Sequence, residues 1–224
     1  LYLCYMDQFA VIFDMDGVIC HTNPYHAKAF ERFFDKYKVP YTEKEFEEHM
    51  YGKHNSYIMT HFFKRAIAGD ELKQLEEEKE SLFREIYKQQ IDPLPHYLTF
   101  LDDLKSKGFK TAVATSAPQA NLNLIVDKLQ IGAKMESILA SENVSQHKPH
   151  PEVYLKSADN LGIAPNACVV FEDSFSGVTA ARNAGMKVVG VLSSHQKEDL
   201  PPCSLYIHDY SEIDADRVLA LLKS

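Results

Sequence analysis

Paired cysteines are missing from this chain. Cys4, Cys20, Cys168 and Cys203 stand far apart, with no two at a spacing that clasps a metal or frames a disulfide scaffold. A basic excess is missing too: Lys+Arg number 24 against 32 Asp+Glu, a formal net charge of -8. That balance argues against a general nucleic-acid binder or a protein drawn to anionic membranes, since both need a basic surface. It still allows a local basic pocket for one phosphate. No apolar run approaches the roughly 18 residues of a membrane helix. Leu1 to Tyr5 is too short for a secretory signal and has no basic start, so the expected location is the cytoplasm, the source of the residues before Met6 staying open. There is no internal repeat and no low-complexity segment. What remains is ordinary globular material: 224 residues, 45% hydrophobic and 25% charged, enough for one domain or a domain carrying an insert.

The most informative stretch is Phe13-Asp14-Met15-Asp16-Gly17-Val18-Ile19. An apolar run (Phe9 to Phe13) ends abruptly in two carboxylates and a glycine. Buried-strand composition delivers the acids to the carboxyl end of a strand, where open α/β sheets place their chemistry. Gly17 permits a sharp turn, although Asp-Gly is by itself also a common turn. Cys20, close by, reads as a buried bystander thiol.

From Asn23 to about Gln90 the pattern is polar and helical. Pro24 suits the first turn of a helix, with Thr22 or Asn23 as its cap and Ala27, Phe30, Phe33 and Phe34 as its apolar stripe. Thr42-Glu43-Lys44-Glu45 reads as a capping box. A third helix carries Ile58, Phe62, Phe63 and Ile67 and ends near Gly69; a long fourth, Asp70 to Gln90, turns Leu72, Leu75, Leu82, Phe83 and Ile86 inward. Its Glu76-Glu77-Glu78-Lys79-Glu80 run reads as a solvated face. Near Pro93 strands and helices begin to alternate. Strands are expected at Thr111–Thr115, Ser137–Ala140, Cys168–Phe171, Lys187–Val191 and Leu205–Ile207, separated by helices that stop at Gly108, Leu129, Gly162 and Gly185, with a last helix from about Asp214. This rhythm implies an α/β fold: a Rossmann-like parallel sheet with helices on both faces, carrying an inserted four-helix cap. The expected boundaries are 1–21 for the first strand and its loop, 22–93 for the cap, and 94–224 for the rest of the core.

Four polar groups follow the strands: Asp14/Asp16, Thr115/Ser116, Lys148 and Glu172/Asp173. Together they offer a carboxylate nucleophile, hydroxyl donors, a fixed cation and further acids for a hard metal. That set suits phosphoryl transfer, where positioning and charge neutralisation do most of the work. Each has a plainer reading as well. Thr115 and Ser116 could cap a helix, Lys148 could be a loop lysine, and Glu172-Asp173-Ser174 could open a helix.

Taken together, Asp14-Met15-Asp16-Gly17, Thr115, Lys148-Pro149-His150-Pro151-Glu152 and Phe171-Glu172-Asp173-Ser174 running into Gly177-Val178 and Ala180-Ala181-Ala184-Gly185 resemble the four motifs of the haloacid dehalogenase-like superfamily. The resemblance spans essentially the whole chain. The helical insert is similar to the small cap of its phosphatase and β-phosphoglucomutase-like branch, and an aspartate at 16 matches the phosphotransferase type. The resemblance implies Asp14 as nucleophile, Asp16 as general acid and base, and Thr115, Ser116 and Lys148 as phosphate-binding groups. It implies Mg²⁺ on Asp14, the Asp16 main-chain oxygen and Asp173, with Glu172 either a ligand or one step behind.

For the cap it implies substrate contacts at Thr22, His26, Gly52, Lys53, His54, Asn55 and Lys79, although His26 equally suits a satisfied helix histidine and Lys79 a surface role. Where the mutase carries an arginine for a distal phosphate, this chain has Asn55; Gln119 stands where the mutase has asparagine, and Asn23-Pro24 interrupts its pattern. A point charge on Lys53 does not replace a bidentate guanidinium. The expected function is therefore a Mg²⁺-dependent phosphatase of a small phosphorylated metabolite, acting as a monomer or weak dimer, with β-phosphoglucomutase and a non-catalytic phosphate-binding protein as alternatives. No nucleic-acid or membrane partner is expected.

Overall fold

Short, almost wholly apolar strands meet in one parallel sheet. They are β1 (Ala10–Phe13), β2 (Lys110–Ala114), β3 (Ser137–Leu139), β4 (Cys168–Glu172), β5 (Lys187–Val191) and β6 (Leu205–Ile207), in the spatial order β3-β2-β1-β4-β5-β6. The computed structural model describes residues 8–50 and 54–224; Gly52 and Lys53, two of the expected substrate contacts, lie outside the described residues. Every strand pairing is parallel, as expected when helical crossovers join successive strands and cover both faces.

The helices are α1 (Asn23–Tyr37), α2 (Glu43–Met50), α3 (Asn55–Phe63), α4 (Gly69–Tyr87), α5 (Tyr97–Ser106), α6 (Gln119–Leu129), α7 (Glu152–Leu161), α8 (Phe175–Asn183) and α9 (Ala215–Lys223). The chain divides into two compact units, residues up to His21 together with Ile91–Ser224, and Thr22–Gln90. In the first, alternate residues of each strand serve opposite faces. Ile12, Ala112, Ala114 and Val170 join Val153, Tyr154, Ala158 and Val178 from α7 and α8. One residue on, Phe13 and Phe171 turn to an aromatic cluster with Tyr97, Phe100 and Tyr210. Trimming such a side chain, as in Ile12→Ala, costs about 2–5 kcal/mol because the close-packed surroundings relax only in part.

The strand order matters more than the packing. β2 and β3 lie on one side of β1, and β4 to β6 on the other. The strand order therefore reverses beside β1, at the point where open α/β sheets leave a crevice outside the strand ends. Pairing of Phe13 with both Val113 and Phe171 puts Asp14, Ala114 and Glu172 at one level there.

In the helical unit the expected stripe is buried: Ala27, Phe30, Phe33 and Phe34 of α1 pack with Ile58, Met59 and Phe62 of α3 and Leu75 of α4. Three local expectations are corrected. The third helix stops at Phe63, where Lys64 takes a left-handed conformation (φ 55°), so Ile67 is buried from a connecting segment and Gly69 opens α4. The capping box is half made: Thr42 Oγ1 accepts from the Glu45 amide at 3.2 Å, but the Glu45 carboxylate lies 3.1 Å from His61 Nε2 instead. And the charged run of α4 is not a solvated face throughout, because Lys79 and Glu80 are 1% and 4% exposed. They take the buried positions with Leu75, Phe83 and Tyr87, leaving Leu72, Leu82 and Ile86 half-buried. The physical reason is mutual satisfaction, described below.

Candidate active site

The two acids of the first motif leave β1 at the reversal point. Asp14 is held there by its own amide, which donates to the Phe171 carbonyl of β4 at 3.0 Å. The tight turn that follows depends on Gly17 in two ways. It adopts φ +72°, and a Cβ on it would lie 2.0 Å from Asp173 Oδ2. Cys20 is buried in the same loop, pairing by isolated bridges with Asp16 and Pro93.

Lys148 spans the gap between the neighbouring strand ends. Its Nζ donates to Asp14 Oδ1 at 2.6 Å and to Glu172 Oε1 at 2.7 Å, and also lies 3.2 Å from the Ala114 carbonyl of β2. The ammonium sits over the Tyr154 ring, 4.8 Å from its centroid. Lys148 is thus no loop lysine in water: its side chain is 5% exposed. Burial alone would lower its pKa, but the two carboxylates hold it well above the usual lysine range.

Glu172, at the end of β4, is saturated with donors. Oε1 accepts from Lys148 and from the Tyr154 hydroxyl at 2.7 Å; Oε2 accepts from the amides of Asp173 and Ser174 at 3.0 and 3.1 Å and from Ser174 Oγ at 3.0 Å. Burial pushes this carboxyl up, but Lys148 and these hydrogen bonds outweigh it and hold it below the ordinary range. Room for it exists because residue 177 is glycine: a Cβ there would lie 1.6 Å from Glu172 Oε1. Tyr154 gave no signal in the sequence, since an aromatic on an amphipathic helix reads as core. Ser174 does cap α8, accepting from the Gly177 amide at 3.1 Å, so the plainer reading of that segment is true of Ser174 alone.

The remaining acids are not neutralised in this way. Asp14, Glu172 and Asp173 are all buried, each with an oxygen within 4.8 Å of the others. Burial raises Asp14 to about 7 despite Lys148, with Glu172 and Asp16 adding to the rise. Asp173 is pushed well above the carboxylate range by burial and by the charges of Glu172 and Asp14. Three buried acids around one lysine are short of positive charge. Crowded carboxylate oxygens suit a hard cation better than a soft one. Asp14 and Asp173 fit as its holders, whereas Glu172 has both oxygens committed to other donors.

Thr115 is buried one residue beyond β2, and its Oγ1 accepts from the Ala117 amide at 3.0 Å; Ser116 is exposed beside it. Neither caps α6, whose N-cap is Pro118. That turn leaves the Thr115 hydroxyl proton available to another acceptor.

The helical unit gathers a second polar cluster from the expected substrate contacts. Lys79 Nζ lies 2.5 Å from Glu80 Oε1, 3.2 Å from His26 Nδ1 and 4.6 Å from the Phe30 ring centroid. Asn55 Nδ2 donates to the same Glu80 oxygen at 2.8 Å. The His26 ring stacks on Phe83, 3.8 Å between centroids. Burial alone would raise Glu80, but Lys79 and His26 with the two hydrogen bonds hold it at about 2. Glu80, which the sequence places in a solvated face, is the hub. Thr22 is buried at the N-cap position of α1, where its carbonyl accepts from the Tyr25 and His26 amides at 2.9 and 3.1 Å. His54 caps α3 through Nδ1, which accepts from the Ser56 amide at 3.4 Å. Among the described residues, no helix is long and apolar enough to cross a membrane.

Against known proteins, a family model described as haloacid dehalogenase-like hydrolase matches residues 11–191. A phosphorylated carbohydrates phosphatase of Thermotoga maritima is 35% identical over 190 residues, 83% of this chain and 86% of that protein. Among solved structures, a HAD hydrolase of family IA, variant 3, from Entamoeba histolytica superposes with a TM-score of 0.90 at 27% identity, covering 96% of this chain and 100% of the other. A β-phosphoglucomutase from Clostridium difficile gives 0.81, also at 27% identity, with 96% of each chain covered.

Proposed function

This chain belongs to the haloacid dehalogenase-like hydrolase family, and from that premise we propose a Mg²⁺-dependent phosphatase of a small phosphorylated carbohydrate that works through an aspartyl-phosphate on Asp14. Family membership makes it an enzyme of phosphoester hydrolysis or phosphoryl transfer. The observation that carries the finer reading is the Asp14–Lys148–Glu172 bridge across the reversal point of the sheet, with the second acid of the pair, Asp16, two residues beyond Asp14.

Lys148 holds the Asp14 carboxylate in place through Oδ1, and that carboxylate attacks phosphorus. The bond to the sugar oxygen breaks, and Asp16 protonates that oxygen as it leaves. Asp16, now a carboxylate, takes a proton from water; the water oxygen attacks the aspartyl-phosphate, releasing inorganic phosphate and restoring Asp14. Thr115 and Ser116 donate hydroxyl protons to the phosphoryl oxygens, and Lys148 balances charge on the attacking side. Glu172 holds Lys148 in place rather than binding metal. Asp14, Asp173 and the Asp16 main-chain oxygen would hold Mg²⁺, which when bound would supply positive charge to the buried acids and the phosphoryl group.

The helical unit supplies substrate choice. Its cluster pairs Lys79 with Glu80 and engages Asn55 with the same carboxylate, which supports a partner rich in hydroxyls over a second phosphate dianion, and so hydrolysis over the mutase. The test is incubation with β-glucose 1-phosphate, Mg²⁺ and a trace of the 1,6-bisphosphate, following glucose 6-phosphate and free phosphate together, beside a panel of sugar phosphates. Phosphate release without isomerisation is expected. Glucose 6-phosphate formed without matching phosphate would overturn hydrolysis in favour of the mutase.

A further inference from the structure

The segment after β5 reaches the site from a third strand, and nothing in the mechanism above uses it. Ser193 Oγ donates to the main-chain carbonyl of Gly17, in the loop that carries Asp14 and Asp16. The next residue, Ser194, donates from Oγ to Asp173 Oδ2, in the loop after β4. Two consecutive serines therefore hold the two acid-bearing loops, one by its backbone and the other by its carboxylate.

The hydrogen bonds have a direction. Ser194 Oγ donates to Asp173 Oδ2, and His195 Nδ1 lies 2.8 Å from the same Oγ. A serine hydroxyl carries one proton, so the tautomer with its proton on Nδ1 is the one that completes the chain from His195 through Ser194 to Asp173 Oδ2. On its other side Oδ2 lies against the bare Cα of Gly17, where a Cβ would come within 2.0 Å of it and within 3.0 Å of Ser193 Oγ. One carboxylate oxygen is thus fixed by a hydroxyl on one side and a glycine on the other. Fixing it sets the side-chain torsions of Asp173, and with them the place of Oδ1.

We propose that Ser194, oriented by His195, is a positioning residue that sets the Asp173 carboxylate for the divalent cation, an assignment that rests on the reading of Asp173 as a Mg²⁺ holder. Groups that orient a metal's ligands typically change metal affinity about 10–100-fold when removed, because the ligand must be ordered at the moment of binding. A hydroxyl that merely anchored the loop would act on stability and leave cation affinity alone.

The experiment uses the full chain with Mg²⁺ alone as probe. Binding is measured by calorimetry and by the Mg²⁺-induced rise in melting temperature, alongside the Mg²⁺ dependence of phosphate release, for Ser194→Ala, Ser194→Thr and Asp173→Asn. Ser194→Ala is expected to weaken Mg²⁺ binding about tenfold, with a smaller fall in kcat at saturating Mg²⁺. Ser194→Thr, which keeps the hydroxyl, restores binding to within about twofold. If Ser194→Ala binds Mg²⁺ within twofold of the unsubstituted protein while Asp173→Asn has lost it, the role of Ser194 is overturned and the metal reading stands. If Asp173→Asn still binds normally, the metal reading fails and the role of Ser194 with it. Should the alanine variant not fold, Ser194→Cys, a weaker donor of similar shape, is held to the same twofold threshold.

Discussion

The two units each bury a cluster of charges, and the clusters are balanced differently. Beside β1, three buried acids lie together and one lysine bridges two of them. In the helical unit Glu80 pairs with Lys79, with an imidazole and an amide completing its contacts, while burial and the charge of Glu80 raise the neighbouring Glu76. The consequence is visible in the carboxyls: Asp14 is raised to about 7, whereas Glu80 is held at about 2. A balanced cluster is satisfied by the protein itself. A cluster with surplus acid carries a standing demand for a cation and for charge neutralisation, and buried groups in that condition mark chemistry more often than architecture.

The largest effect is expected at the surplus cluster. If Asp14 is the nucleophile proposed above, Asp14→Asn should lower phosphate release by at least about 10³-fold. The substitution also relieves repulsion, so melting in the absence of Mg²⁺ should not fall. Activity within tenfold of the unsubstituted enzyme would place the nucleophile elsewhere.

Next comes Lys148→Met. Taking the bridging cation from between Asp14 and Glu172 leaves both buried without it, and breaking a buried pair costs about 3–5 kcal/mol. Urea unfolding followed by far-UV circular dichroism measures it. Added Mg²⁺ should recover part of the loss, since it supplies charge to the same acids. A variant as stable as its parent would show that water already reaches this cluster.

The balanced cluster responds in a different pattern. Glu80→Gln strands Lys79 and should cost about 3 kcal/mol. Lys79→Met combined with Glu80→Leu should cost less than either change alone, because a buried ion pair replaced by apolar groups of like volume is often near neutral. KM should shift unequally across a panel of sugar phosphates in the double variant, while kcat for the best substrate changes less. Equal small shifts for every substrate would make the cluster architectural only.

These contrasts also mark what the sequence could and could not disclose. Parallel strands buried on both faces read as apolar runs, so Asp14, Thr115 and Glu172 stood out simply by following them. The sheet, the order of its strands along the chain and the helix-ending glycines at 108 and 162 were legible for the same local reasons. Lys79 and Glu80 were not. They sit in a run of five charged residues that reads as surface, and they are buried only because His26, 53 positions away, and Phe30 meet them. Tyr154 was hidden for the opposite reason: its hydroxyl reaches Glu172 from a face that is otherwise core. Ser194 carries no periodic or compositional signal, and its role depends wholly on which strand ends the sheet brings together. Whatever needs a partner distant in sequence was invisible. Whatever follows from a strand ending was plain.

The smallest effect, and the one that separates the two clusters most directly, is their response to acid. In the absence of Mg²⁺, Asp14 titrates near 7 in the folded protein against an ordinary value of 3.8. The folded state therefore holds a proton between those values that the unfolded chain releases, and linkage makes the unit around β1 more stable as pH falls from 8 towards 5. Because Mg²⁺ competes for the same carboxylate, its affinity should decline over that window, and saturating Mg²⁺ should flatten the rise in stability. Glu80 runs the other way. With a folded value of about 2 against an ordinary 4.5, its contribution is whole above pH 4.5 and is lost as pH falls through that value towards 2. Acid should thus first firm one unit and then loosen the other. Amide hydrogen exchange, corrected for intrinsic rates and read separately for β1 and α4, follows both at once. Protection of β1 that drops between pH 8 and 6 without Mg²⁺ would contradict the surplus of acid, since a cluster already balanced has no proton to gain.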